Sequence, residues 1–228
     1  MHYALVHGAY HGAWCWEQLR RELEADGHTT SAVDLPSEDP EAGAERYADE
    51  VVHSMPKTTE GVVLVGHSLG GLTIPVVAGR TKTLMTVYLC ALVPMPGLSF
   101  DAQAADFSTG FEPSEGPVSH PDGGASWPER GAIESFFFDC DLEVGQAAAR
   151  RLRKQHWLVT QEVTPLRRWP DSPAAYILCT DDRVLSPGYS RRAARDQLGV
   201  EPVEMAGGHS PFLSRPRELA TLLENLVE

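Results

Sequence analysis

The decapeptide Val62-Val63-Leu64-Val65-Gly66-His67-Ser68-Leu69-Gly70-Gly71 carries an apolar run straight into Gly-x-Ser-x-Gly, followed by a helix-like stretch. A serine on a tight strand-to-helix turn presents its hydroxyl as a nucleophile, with glycines two residues before and after it letting neighbouring backbone pass. Ser68 is the candidate. The helix N-terminus beneath it favours developing negative charge. A bare Gly-x-Ser-x-Gly also arises by chance as an ordinary turn, but the strand before and the helix after favour the nucleophile.

A serine hydroxyl near neutral pH needs a base in reach, and the base needs a carboxylate to orient it. Serines on such a turn are followed in the chain by the acid and then the histidine. Met205-Ala206-Gly207-Gly208-His209-Ser210-Pro211-Phe212 places His209 in a glycine loop between the last strand and the last helix, which makes it the candidate base. His28, His53, His120 and His156 stand in helical or loop contexts with no acid arranged nearby, while His7, His11 and His67 flank the serine and are expected around its pocket. For the acid, Asp181 and Asp182 compete at the end of the strand Ala174–Cys179. Two backbone N–H donors must face the oxyanion, one from the residue after the nucleophile and one from an early loop. Leu69 supplies the first, and Ala9 in the loop His7–Trp14 the second. The same early loop also reads simply as the turn before a helix.

Taken together, His7-Gly8-Ala9-Tyr10-His11-Gly12-Ala13-Trp14-Cys15-Trp16, Gly66–Gly71, Tyr176–Asp182 and Gly207-Gly208-His209 resemble the α/β-hydrolases, in the branch of plant methyl-ester esterases and hydroxynitrile lyases. The motifs span nearly the whole chain. Enzymes of this fold commonly place the acid a few residues before a proline that opens the next helix, which favours Asp182 before Pro187 and leaves Asp181 for a loop hydrogen bond. The resemblance implies a cofactor-free serine hydrolase, without a metal, acting on a small carboxylic ester through an acyl-enzyme. Two positions separate the branches. The lyases carry a threonine after the first-loop histidine and a lysine after the catalytic histidine, whereas this chain has Gly8 and Ser210 and agrees with the esterases. A carbon–carbon lyase or lactone-processing tailoring enzyme on the same triad, and a ligand receptor that keeps only the fold, remain the alternatives.

Residues 1–93 alternate short apolar runs with amphipathic stretches, the pattern of a parallel sheet flanked by helices. Strands are expected at Tyr3–Val6, Thr30–Val33, Val62–Val65, Thr86–Leu89, Ala174–Cys179 and Val200–Met205. Helices are expected at Trp14–Ala25, Ala42–Ser54, Leu69–Ala78, Tyr189–Leu198 and Pro211–Val227, the last with Ser210 as N-cap and Pro211 at its first position. Between 94 and 173, prolines and glycines break the alternation and then Ile133–Lys154 reads as one helix. This insertion is expected to form a mostly helical cap over a core of 1–93 and 174–228. With His11, His67 and Val184, its Trp127, Phe136 and Phe137 are the expected substrate-binding side chains.

The 228 residues carry 19 Lys+Arg against 32 Asp+Glu, a net charge of −13, which argues against nucleic-acid or anionic-membrane partners. Area scaling predicts roughly 10,000 Å² of folded surface, enough burial for one well-cored domain. Hydrophobic residues make up 42% of the chain with a mean hydropathy of −0.24, and no 18-residue apolar run occurs. The N-terminus lacks the basic region of a signal peptide, so a soluble cytoplasmic protein is expected. Cys15, Cys90, Cys140 and Cys179 are too scattered for a disulfide framework or zinc site, and Cys90 and Cys179 read as reduced core residues. A homodimer is left open.

Overall fold

The computed structural model describes residues 1–57, 61–103 and 105–227. Its first half alternates β1 (His2–Val6), α1 (Glu17–Ala25), β2 (Thr29–Ala32), α2 (Ala44–Ser54), β3 (Val62–His67), α3 (Ile74–Ala78) and β4 (Thr83–Leu89). An insertion follows with a two-stranded antiparallel hairpin, β5 (Val118–Ser119) and β6 (Ala125–Ser126), then α4 (Glu129–Phe136), α5 (Leu142–Ala149) and α6 (Leu158–Gln161). The chain closes with β7 (Ala174–Cys179), α7 (Pro187–Arg192), β8 (Val203–Met205), α8 (Pro211–Ser214) and α9 (Pro216–Asn225).

Six strands pair in parallel in the order β2-β1-β3-β4-β7-β8. The chain moves outward from β1 to β2 and then returns to β3 on the other side of β1, so its direction reverses there. In open parallel sheets ligands bind beyond the carboxyl ends of the strands at that switch. Here those ends are Val6 and His67, which feed the first loop and Ser68.

Alternate strand residues feed two apolar layers, as the two-residue period of a strand requires. Ala4, Val6, Leu64 and Leu178 pack with Tyr47 and Val51 of α2 and Val77 of α3, whereas Leu5, Val63, Val65 and Ile177 pack with Leu19 and Leu23 of α1 and Leu219 and Leu223 of α9. Each such fully buried side chain contributes about 1.5–3 kcal/mol. The accessible surface is 9992 Å², close to the area expected for one domain of this mass.

Strands form at all six expected places, with β7 at the expected bounds, while β4 begins three residues earlier at Thr83 and β8 three residues later at Val203. Helices differ more. The stretch expected at Trp14–Ala25 enters as a 3-10 turn over Ala13–Trp16, and Ser68–Leu72 is likewise 3-10 before α3. The last helix breaks at Arg215 into α8 and α9, and Ser210 precedes Pro211 without a side-chain capping bond. The expected helix Ile133–Lys154 is two helices. Phe137–Asp141 interrupts it because Asp139 is drawn to the histidine loop, where its Oδ2 accepts the N–H of Gly208 at 2.8 Å. Among its described residues the insertion is helical over α4, α5, α6 and a turn at Asp101–Gln103, with the hairpin and irregular backbone making up most of it. Its prolines lack the N–H that a continuous helix would use. All four cysteines are free thiols. No helix among the described residues is long and apolar enough to cross a membrane.

Candidate active site

Ser68 follows β3 with φ +51, a left-handed conformation that L side chains rarely adopt. The turn closes this tightly because of its glycines. A Cβ at Gly66 would stand 2.8 Å from Cγ2 of Ile74, and one at Gly70 would stand 2.6 Å from the Val6 carbonyl oxygen. Both are closer than real contacts allow. The carbonyl of Ser68 accepts the N–H of Leu92 at 3.0 Å, which ties the turn to the segment after β4.

His209 lies in the loop between β8 and α8, and its Nδ1–H donates to Oδ2 of Asp182 at 2.8 Å with both side chains 1% exposed. The other oxygen of Asp182 accepts the N–H groups of Val184 at 2.7 Å and Leu185 at 3.0 Å. The carboxylate is thus fixed in orientation, and the imidazole keeps Nε2 as a lone-pair nitrogen. Asp181 is turned elsewhere: its carboxylate accepts the hydroxyl of Thr180 at 3.1 Å and the N–H of Gly207 at 3.2 Å. Of the two competing acids, Asp182 is the one brought to His209.

The first loop is oriented by its own histidines. His7 Nδ1–H donates to the Gly8 carbonyl at 2.8 Å while its Nε2 accepts the N–H of Leu35 at 2.9 Å. In a trans peptide C=O and N–H point to opposite sides, so the bond to the Gly8 carbonyl also sets the direction of the Ala9 N–H. His11 Nδ1–H holds the Ala9 carbonyl in the same way at 2.8 Å. Burial keeps both rings neutral, lowering His7 to about 4 and His11 to about 3. His67 is pushed well down by burial too, and its Nε2–H donates to the His209 carbonyl at 2.9 Å.

Above Ser68 lies a cavity of about 360 Å³ shared by core and insertion, lined by Ala9, His11, Ser68, Leu69, Trp127, Phe136, Val184 and His209 among others. Ser68 and His209 therefore open on one space. Two expected lining residues are absent from it. His67 is fully buried behind the His209 loop with Phe212 at 4.8 Å between ring centroids, and Phe137 packs into the core layer of α1 and α9. Phe137 caps α4 outside helical geometry at φ −129, and the two adjacent rings, 5.8 Å apart and inclined at 55°, diverge so that Phe136 borders the cavity while Phe137 stays in that core layer. Tyr10, Trp157 and Phe107 line the cavity and escaped the sequence reading. Their signal was weak, an aromatic beside a histidine motif and two rings in irregular stretches.

Tyr10, Ser68 and Cys90 are the non-glycine residues with positive φ among the described residues, at +65, +51 and +43. Two line the cavity and the third sits behind it, as expected if backbone strain gathers at a working site. The Cys90 thiol, Asp182 and His209 bring ligand atoms within 4.8 Å of one another, the one such cluster among the described residues. It suits a metal poorly, since burial pushes the thiol well above its ordinary range and His209 Nδ1 is already engaged.

With the fold and this constellation in hand, the sequence profile of the Alpha/beta hydrolase family matches residues 4–222. The chain belongs to that family. It is similar to Methylesterase 10 of Arabidopsis thaliana, 28% identical with 99% of this chain and 91% of the relative covered. Methyl jasmonate esterase 1 of Vitis vinifera is 27% identical over 100% of this chain and 97% of its own length. Among solved structures, polyneuridine aldehyde esterase superposes with a TM-score of 0.80 at 24% identity, covering 100% of this chain and 99% of that one. A pyrethroid hydrolase from Sphingobium faniae JZ-2 gives 0.80 at 23% identity, with 100% and 97% covered.

Proposed function

We propose that the protein is a serine hydrolase of small carboxylic esters, with Ser68 as nucleophile, His209 as base and then acid, and Asp182 as its orienting partner. The observation that carries this reading is the buried His209–Asp182 couple opening, with a strained Ser68, onto one apolar cavity. Ester hydrolysis by relatives named methylesterase and methyl jasmonate esterase supports the same class.

In this mechanism Ser68 Oγ attacks the ester carbonyl carbon as its proton passes to His209 Nε2. The resulting imidazolium is held against Asp182, and the oxyanion is received by the N–H groups of Ala9 and Leu69. Collapse breaks the carbon–oxygen bond to the alcohol, which leaves with the proton from His209. Water then repeats the sequence on the acyl-enzyme, returning Ser68 and releasing the acid. The aromatic insertion screens the acyl-enzyme from bulk water.

Gly8 separates this reading from cyanohydrin cleavage. A Cβ at position 8 would stand 2.7 Å from Ser68 Cβ and 2.9 Å from His67 Nδ1, so a threonine there has no room beside this serine. Ser210, the neighbour of His209, is 0% exposed and offers no cation for a departing cyanide.

The test is labelling by a fluorophosphonate together with hydrolysis of p-nitrophenyl acetate. Ser68→Ala should abolish labelling and lower kcat by at least about 10³-fold with folding intact. Serine-independent turnover of undiminished rate would overturn the reading, and unlabelled Ser68 without ester turnover would favour a receptor.

A further inference from the structure

The lining of the cavity has a charge character that bears on substrate choice. Among the described residues it includes no lysine and no arginine, and Asp101 is its one carboxylate. Asp101 opens the 3-10 turn Asp101–Gln103, is exposed, and has no ion-pair or hydrogen-bond partner for its side chain among the described residues. It stands at the mouth. The guanidinium groups of Arg183 and Arg192 lie outside the lining, the first stacked on Phe138 at 3.6 Å and the second donating to the Asp106 carbonyl at 2.9 Å. His11 adds no charge inside, because burial holds it neutral.

The walls are aromatic. Tyr10 contacts Trp127 and Trp157 with ring centroids 6.2 and 5.7 Å apart, and Trp127 contacts Phe136 at 5.0 Å. Phe100, the neighbour of Asp101, packs with Phe107 at 6.3 Å, and both line the cavity. Aromatic rings attract cations through their quadrupole, and an ammonium surrounded by methyl groups loses little hydration on entering such a space. An apolar wall alone favours any greasy ester equally. A carboxylate with no partner among the described residues is what breaks the tie. A volume of about 360 Å³ lies near the small end of ligand sites, which limits the group to a compact one.

We propose that the preferred substrates are small esters carrying a positive charge, a quaternary or protonated amine, received by the aromatic walls and Asp101. This rests on the ester-hydrolase reading above and adds the charge of the substrate to it.

The experiment compares kcat/KM for isosteric pairs that differ only in nitrogen against carbon. Acetylcholine against 3,3-dimethylbutyl acetate places the charge on the alcohol, and trimethylglycine methyl ester against methyl 3,3-dimethylbutanoate places it on the acyl group. Intrinsic reactivities within a pair differ, so the readout is how the cation-to-neutral ratio changes between proteins. Asp101→Asn should lower that ratio about fivefold in at least one pair, the upper range for an exposed charge pair. Glu41→Gln removes the same charge at an exposed position outside the cavity lining and should leave the ratio where it was. Raising the salt concentration should shrink the wild-type ratio and have less effect on the Asp101→Asn ratio. Ratios unmoved by Asp101→Asn in both pairs, or an equal fall in Glu41→Gln, would overturn the proposal. So would hydrolysis of p-nitrophenyl acetate with no turnover of either cationic ester. If no ester at all is turned over in a Ser68-dependent way, the ester-hydrolase reading itself fails and the proposal falls with it.

Discussion

Replacing Asp182 by asparagine exchanges one oxygen for an NH₂ in a site whose geometry dictates where that NH₂ goes. One carboxylate oxygen already accepts two backbone N–H groups, from Val184 and Leu185, so the amide oxygen must take that place. The NH₂ then points at His209 Nδ1 and can only donate. The ring is forced into the tautomer with its proton on Nε2, facing Ser68, and can no longer accept the serine's proton. The imidazolium of the transition state also loses its counter-charge. At the observed 2.8 Å and an effective dielectric constant of about 20, that attraction is about 6 kcal/mol, or about 10⁴-fold in rate. Asp182→Asn should therefore lower kcat for p-nitrophenyl acetate by about 10³–10⁴-fold, with the melting temperature little changed because shape and backbone bonds are retained. Asp181→Asn keeps an oxygen for the Gly207 N–H and should cost less than about threefold. The assay is steady-state hydrolysis above the floor set by Ser68→Ala, with circular dichroism on each variant. A folded Asp182→Asn enzyme within tenfold of wild type, or a larger loss from Asp181→Asn, would refute this assignment.

Phe136→Ala should alter acyl-chain preference as well as stability, because Phe136 lines the cavity, whereas Phe137→Ala should cost about 3–5 kcal/mol of stability without moving that preference. Unfolding curves and a series of p-nitrophenyl esters distinguish the two. Stability should fall in acid: His7 and His11, at about 4 and 3 in the fold, stay neutral while the unfolded chain protonates them below about pH 6.5. The difference reaches about 5 kcal/mol at pH 4.5 for the two rings together, so melting temperature should drop by roughly 10–20 °C between pH 7 and 4.5. A flat profile over that range would contradict the buried neutral rings. Mandelonitrile should release no cyanide in a Ser68-dependent manner, and Gly8→Thr should lower ester hydrolysis by at least about 10²-fold by displacing Ser68, without creating lyase activity. Headspace cyanide measured beside ester turnover checks both.

The strand pattern, the turn around Ser68 and the loop of His209 are local facts, and they were legible in the chain. Apolar residues at period two and glycines at 66 and 70 act through neighbours in sequence, and the parallel order follows from alternating helices. Other features come only from parts far apart in the chain. Asp182 and Asp181 are adjacent carboxylates, and the loop packed against them 26 to 27 residues on decides their partners, the His209 ring for Asp182 and the Gly207 N–H for Asp181. The break at Phe137–Asp141 depends on Gly208, 69 residues from Asp139, which offers an N–H that a local helix pattern cannot register. Phe136 and Phe137 are equally apolar and both pack into one core layer, yet Phe136 also borders the cavity and Phe137 does not. Composition and spacing record which groups are present and how the nearest ones repeat. Which side of a chain meets a distant loop is set by packing, and that decided the cavity, its acid and its charge.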